Sequence, residues 1–295
     1  MADFPELMTT REVADYLRIK ERRVYELVRQ REIPCTRVTG KWLFPKPAID
    51  LWLSRSVAEE GAESEAPPVI AGSHDPLLDW AARESDCGLA LMSGGSLHGL
   101  RCFAERKARV AGLHLLDPES GDYNRPIVAE SFGQEPVVLI EWARRRQGLV
   151  LAAGNPRGVA GLVDLARPEL CLLRRQAEAG SRILFAHLLE GAGLDPEALN
   201  WSTETPGGEL EVGLAILEGR GDAGLAVEAV ARGLKLDFLP LADERYDLLL
   251  RRRDYFEPPM QRLLDFTRTP AFAERAAAMG GYDISGTGKV RFNGT

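Results

Sequence analysis

The feature that most constrains this chain is a break in its composition. From Ser54 the sequence runs Ser-Arg-Ser-Val-Ala-Glu-Glu-Gly-Ala-Glu-Ser-Glu-Ala-Pro-Pro, with four Glu and almost nothing to bury. A stretch like that gains too little from burial to offset the entropy of ordering it, and a Pro-Pro pair stops it. Residues 56–68 are therefore expected to be an acidic, solvated linker. It separates a head, residues 1–55, from a body, residues 69–295, that is long enough for one large domain or two lobes.

The head carries two helix signatures. Thr9 or Thr10 supplies an N-cap hydroxyl, Glu12 stands near the place of a capping-box carboxylate, and Val13, Ala14 and Leu17 form an apolar stripe. After a short polar turn, Val24, Leu27 and Val28 recur at helical spacing over residues 21–30, and Arg22, Tyr25, Glu26 and Arg29 fall on the opposite face. Two short extended runs then flank Gly40 within residues 37–44, as a hairpin wing requires. This order, ending in Lys46-Pro47-Ala48-Ile49-Asp50-Leu51-Trp52-Leu53, resembles the MerR/excisionase-type winged helix-turn-helix. The resemblance implies double-stranded operator DNA as partner, with the second helix in the major groove. Glu21, Arg22 and Arg23 would then reach base edges, with Tyr25 on the same exposed face. Lys20, Arg29, Arg37 and Lys41 would meet the backbone. Trp42 and Phe44 are expected to pack the wing onto the helices. Charge agrees: residues 1–55 hold eleven Lys/Arg against eight Asp/Glu, a net of +3, so the rest of the −7 chain carries −10.

The body has no apolar run of membrane-span length, and no basic-then-apolar signal precedes the head. Cys35, Cys87, Cys102 and Cys171 are scattered, without metal-site spacing. A cytoplasmic protein with reduced thiols is expected, with no membrane partner and no metal. Short apolar runs at 69–72, 88–92, 137–140, 148–152, 169–173, 222–227 and 236–241 read as strands. They alternate with amphipathic stretches near 76–84, 96–108, 158–166, 180–192, 207–219, 227–233 and 257–278. The alternation predicts an α/β body with largely parallel sheets.

In such a fold the chemistry gathers where strands hand over to helices, because helix N-termini present free N–H groups and partial positive charge. Four junctions stand out: Gly72-Ser73-His74-Asp75-Pro76, Met92-Ser93-Gly94-Gly95-Ser96, the run 174–182 with Gly180-Ser181-Arg182, and Thr203–Gly208. Hydroxyls and amides at such junctions suit an oxyanion. Ser73-His74-Asp75 has triad residue types, but adjacent residues cannot form the relay, and His98, His114 and His187 stand alone. With no Walker loop, dinucleotide fingerprint or His-Glu-x-x-His, the chain is not expected to be an enzyme and needs no cofactor.

The body resembles the type II periplasmic-binding-protein-like domain found fused to helix-turn-helix heads and related to molybdate/tungstate-binding proteins. The residues that carry the resemblance include Gly72–Asp75, His114-Leu115, Gly121–Asn124, Arg146–Leu149, Gly154–Pro156, Arg175-Gln176, Gly180–Arg182, Gly221–Gly224, Leu236–Phe238, Glu244–Leu248 and Gly281–Asp283. It implies two α/β lobes joined by two crossings, with ligand contacts at Ser73 and His74, Ser93, Gly94, Gly95 and Ser96, Tyr123, and Gly180, Ser181 and Arg182. Where relatives tend to have Gly-Ser-Gly-Thr-Arg, this chain has Glu178-Ala179-Gly180-Ser181-Arg182. The resulting expectation is a one-component transcriptional regulator, a homodimer or higher homo-oligomer, sensing a small anionic effector. Molybdate or tungstate leads, and the alternatives are a small organic anion or an excisionase-like architectural factor without a ligand.

Overall fold

The computed structural model describes residues 5–30, 32–38, 40–50, 52–53 and 65–295. The chain forms two compact units, Met1–Glu65 and Ala66–Thr295. Residues 56–64 of the expected linker lie outside the described residues. Ala66 and Pro68 belong with the body, where their carbonyls accept from Arg109 Nη2 and the amide of Ala90.

In the first unit, strand β1 (Leu7–Thr9) precedes helix α1 (Thr10–Leu17), followed by α2 (Glu21–Gln30), β2 (Thr36–Val38), β3 (Lys41–Pro45) and a third helix, α3, at 46–50 and 52–53. Thr9 is the N-cap: Glu12 N donates to its hydroxyl at 3.4 Å, and Thr9 N donates to Glu12 Oε2 at 2.7 Å. Strand β1 pairs antiparallel with β3, a pairing the sequence reading lacked, because it began the helix at Met8. Met8, Val13, Val24, Ile33, Phe44 and Ile49 form the buried core.

The second unit contains one nine-stranded sheet with helices packed on it. In chain order it has β4 (Val69–Gly72), α4 (Pro76–Glu84), β5 (Ala90–Ser93), α5 (Ser96–Ala104), β6 (Val110–Leu113), α6 (Arg125–Phe132) and β7 (Val137–Leu151). Next come β8 (Leu172–Leu173), α7 (Gly180–Gly191), α8 (Glu209–Leu217), β9 (Ala223–Val227), α9 (Glu228–Leu234) and β10 (Asp237–Arg251). The chain closes with α10 (Arg252–Tyr255), α11 (Pro258–Phe266), α12 (Pro270–Met279), β11 (Tyr282–Asp283) and β12 (Val290–Asn293).

The sheet order is β5-β4-β6-β10-β7-β9-β8, with β11 and β12 added on β7. Parallel pairs occupy both flanks, and the central β6-β10-β7-β9 pairings are antiparallel, so the sheet is mixed rather than largely parallel. Strands β7 and β10 are each 15 residues long. The runs expected as separate strands at 137–140 and 148–152 are two ends of one strand, and 236–241 is only the start of another. One end of this pair (Val138, Ile140, Trp142, Tyr246, Leu248) packs with Leu77, Leu78, Leu263 and Phe272 in the first lobe. The other end (Leu149, Leu151, Leu239) packs with Leu172, Leu184, Phe185 and Leu225 in the second. The β7–β10 register shifts at Pro240/Ala242 and Tyr246/Asp247 bracket the crossing.

Other elements differ from expectation for local reasons. Residues 257–278 form two helices, because Thr269 caps a new start at Pro270. The stretch 158–166 holds only a 3₁₀ turn, Leu162–Ala166. The helix expected over 96–108 ends at Ala104, and β6 and α6 add to the first lobe where no element was expected.

Candidate ligand site between the lobes

Where β7 and β10 pass between lobes they leave both apolar cores, and their side chains become polar. Arg145 stands opposite Glu244 in the strand register. Its side chain is fully buried. Nη1 donates to Asp75 Oδ2 at 3.1 Å, Nη2 donates to Glu244 Oε1, and the guanidinium lies 4.5 Å over the Tyr246 ring. Glu209 Oε1 lies 3.9 Å from Nη2. Gln147 Nε2 donates to Glu209 Oε1 at 3.1 Å and to Glu244 Oε1 at 2.9 Å. His114 Nδ1 is 2.7 Å from Glu244 Oε2. Asp75 caps α4 through Leu78 N and accepts from Trp142 Nε1 and Tyr282 OH, while Glu209, first residue of α8, accepts from Val227 N.

One buried arginine on the crossing strand thus holds carboxylates from both lobes. Burial works against charge on Arg145, but Glu244, Glu209 and Asp75 outweigh it and hold the guanidinium firmly protonated. Burial likewise raises the Glu244 carboxyl, and Arg145 with His114 more than reverses this, leaving it well below the usual carboxylate range. Donor atoms of His114, Glu209 and Glu244 lie within 4.8 Å of one another, close enough to grip a divalent ion. The Arg145 guanidinium and the Gln147 amide already sit against those carboxylates, so the cation's role is filled from within the protein.

The predicted junctions surround this hub. Ser73 Oγ and Ser96 Oγ are 2.9 Å apart, and Ser96 Oγ accepts from His114 N at 3.1 Å. Ser181 is buried, and its hydroxyl has no hydrogen-bond partner among the described residues. A Cβ at Gly95 would meet Glu178 O at 2.5 Å, and one at Gly180 would meet His114 O at 2.6 Å. The lobes therefore touch backbone to backbone where the α5 and α7 N-termini meet. Leu97 N donates to Glu178 O at 3.2 Å across this contact. Arg101 grips the Glu178 carboxylate with both terminal nitrogens, at 2.8 and 3.2 Å.

The other predicted residues are distributed differently. Gly94 N and Gly95 N donate to Gly72 O, which brings that loop to Ser73, whereas Ser93 is exposed at the end of β5. Tyr123 is buried, its hydroxyl raised in pKa first by burial and then by Glu244, and its carbonyl accepts from Arg245 Nη2. Arg182 is not brought into the cluster: it donates to Arg175 O at 3.4 Å and lines a small cavity with Arg174, Phe185 and Trp201. His74 offers its carbonyl to Arg145 at 3.5 Å, and its ring lines a separate cavity. The sequence reading missed the functional cast of Arg145, Gln147, Glu209 and Glu244, and placed His114 among packing histidines. Arg175, buried and lowered in pKa chiefly by that burial, donates to the carbonyls of Pro206 and Gly207 and ties down the fourth junction.

On the head, Lys20, Glu21, Arg22, Arg23, Tyr25, Arg29, Arg37 and Lys41 are all exposed. Glu26 bridges Arg22 and Arg23 at 3.3 and 3.1 Å, and Arg37 lies 5.3 Å over Trp42. Phe44 is fully buried in the head's core, and Trp42 packs against it.

A helix-turn-helix domain model matches residues 7–56, and a PBP superfamily domain model matches residues 79–268. Uncharacterized protein YvgK of Bacillus subtilis (strain 168) is 25% identical over 299 residues, covering 96% of each chain. Among solved structures, an H2O2-bound mutant of Corynebacterium glutamicum OxyR aligns with TM-score 0.50 and 16% identity over 92% of this chain and 90% of its own. The tungstate ABC transporter protein of Geobacter sulfurreducens aligns with TM-score 0.51 and 16% identity over 70% of this chain and 95% of its own. At such identity these structures share the fold. The family match spans more than half of the chain and agrees with the two lobes and their paired crossings: the protein belongs to the PBP superfamily, with a helix-turn-helix domain ahead of that fold.

Proposed function

We propose that this protein is a one-component transcriptional regulator of the cytoplasm. Its head binds double-stranded operator DNA as part of a homodimer or higher homo-oligomer, and its body senses a small anionic effector between the lobes. The observation that carries this reading is the meeting of the α5 and α7 N-termini across the lobes, with Ser73, Ser96 and a buried, unpartnered Ser181 hydroxyl beside them. First-turn amides have no partner inside their own helix, and with hydroxyls beside them they suit an oxyanion. Molybdate or tungstate is the leading effector, in keeping with the tungstate transporter protein that shares the fold. A ligand switches such a protein only to the extent that it binds one lobe arrangement better than another.

A second reading, a small organic anion, gains from Glu209 and Glu244. These carboxylates repel a bare dianion, but they would accept from a ligand that carries donors beside its anionic group. A thermal-shift series with molybdate, tungstate, sulfate, phosphate and small organic acids decides between the two. Ligand at 100 times its dissociation constant adds about 2.7 kcal/mol to the stability of the native state. A selective rise with molybdate or tungstate that Ser181→Ala abolishes supports the oxyanion reading. A response only to organic acids replaces it with the second, and a flat response to all removes the sensor role.

A further inference from the structure

A cavity of about 290 Å³ lies away from the Ser73–Ser96–Ser181 cluster, between helices of the two lobes. That size is at the low end of small-molecule pockets, which run from roughly 300 to 1,000 Å³. The α4 and α12 side contributes Trp80, Arg83, Arg275 and Met279, and the α8 and α9 side contributes Leu210, Val230 and Leu234. The wall is thus aromatic and aliphatic with a cationic edge.

The charges at that edge are unequal. Arg83 is neutralised by Asp79 at 2.7 Å. Arg275 lies 5.5 Å over the Trp80 ring and makes no carboxylate ion pair among the described residues. The cavity therefore presents one uncompensated guanidinium beside an aromatic face, the pairing that takes a carboxylate joined to an apolar body. His74 extends the wall towards the strand end that also bears Ser73 and Asp75.

The geometry points to a second small-molecule site here, for a monocarboxylate with an aromatic or aliphatic body, distinct from the inter-lobe cluster. Its occupant touches helices of both lobes, so it favours the lobe arrangement described here. It is coupled to the first ligand by the free-energy difference both feel between arrangements.

The test uses full-length protein, with phenylacetate and hexanoate as probes and phenethylamine as the oppositely charged control. A Cβ at Gly233, which also lines this cavity, meets nothing within 4 Å, so Gly233→Leu has room to occupy the space without displacing its neighbours. Arg275→Gln removes the unpaired charge from an exposed position. The expected result is a saturable rise in melting temperature with phenylacetate or hexanoate and none with phenethylamine. Gly233→Leu, with an unliganded melting temperature like wild type, loses the rise, and Arg275→Gln weakens apparent affinity at least tenfold. No rise with either acid in the wild type, an equal rise in both variants, or preference for the amine overturns the proposal.

Discussion

The head and the crossing of the body both carry dense charge, and they manage it in opposite ways. On α2, Arg22, Arg23 and Arg29 stand in solvent, and the one acceptor that Arg22 and Arg23 share, Glu26, holds them loosely. At the crossing, Arg145 is buried among Asp75, Glu209 and Glu244 and has exchanged water for fixed partners. Exposed ion pairs contribute little to stability and remain available to a partner. A buried set is costly to assemble and more costly to leave half-made. Charge on the head is thus free for binding, whereas charge in the body is committed to holding two lobes in register.

The sharpest way to break this contrast is Arg145→Ala. It leaves three buried carboxylates without their cation and should destabilise the body by roughly 3–5 kcal/mol, read from urea unfolding. A loss below about 1 kcal/mol would mean water reaches the hub and the burial argument fails.

Asp247 gives a smaller, pH-dependent effect. Burial is the largest influence on it and lifts its carboxyl to about 6 against the pull of Arg245 and Asn124. The folded state then holds this proton more tightly than the unfolded chain does, between about pH 4 and pH 6. Its contribution to stability accordingly falls as pH rises through that window and is level above it. Asp247→Asn should remove a slope worth roughly 3 kcal/mol, seen by comparing unfolding midpoints at pH 4.5 and 7. An unchanged slope would assign the titration elsewhere.

Smaller again is the exposed clasp between lobes. Arg101→Ala should leave the melting temperature nearly unchanged at 150 mM salt while weakening effector affinity at low salt, where an exposed pair is least screened. Equal loss at both salt concentrations would place Arg101 in the binding machinery itself.

The head should show the least change in stability and the clearest change in binding. Arg22→Ala with Arg23→Ala should leave the unfolding curve in place. If both residues meet phosphate, the salt slope of binding to a random duplex drops by about 2. An unaltered slope would leave base edges, or no DNA contact, as their role.

The same contrast explains what the sequence disclosed. Val13 and Ala14, then Val24 and Leu27, repeat at helical spacing, so the head's helices were legible, and Ser73, Ser96 and Ser181 announced their junctions through neighbouring Gly and Pro. Strand β1 was not legible, since three residues give no period and its partner Phe44 lies far along the chain. Strand β7 looked like two strands because Arg144, Arg145, Arg146 and Gln147 interrupt an apolar run. They belong to the crossing, where neither lobe's core demands apolar residues. Arg145 finds Asp75 and Glu244 at separations of 70 and 99 residues, and no local pattern encodes such a meeting. Arg182 was misplaced for the converse reason: its neighbours were informative, but the helix turns its side chain towards Arg174 and Trp201.

The close approach at Gly95 and Gly180 has one more consequence. Hydrogen is the thickest side chain those two positions tolerate before the lobes collide with Glu178 and His114. A methyl group at either one would act as a doorstop, propping the lobes ajar without touching a single ligand donor. The travel of this hinge, and with it the contrast between an occupied and an empty sensor, is set by two missing carbon atoms.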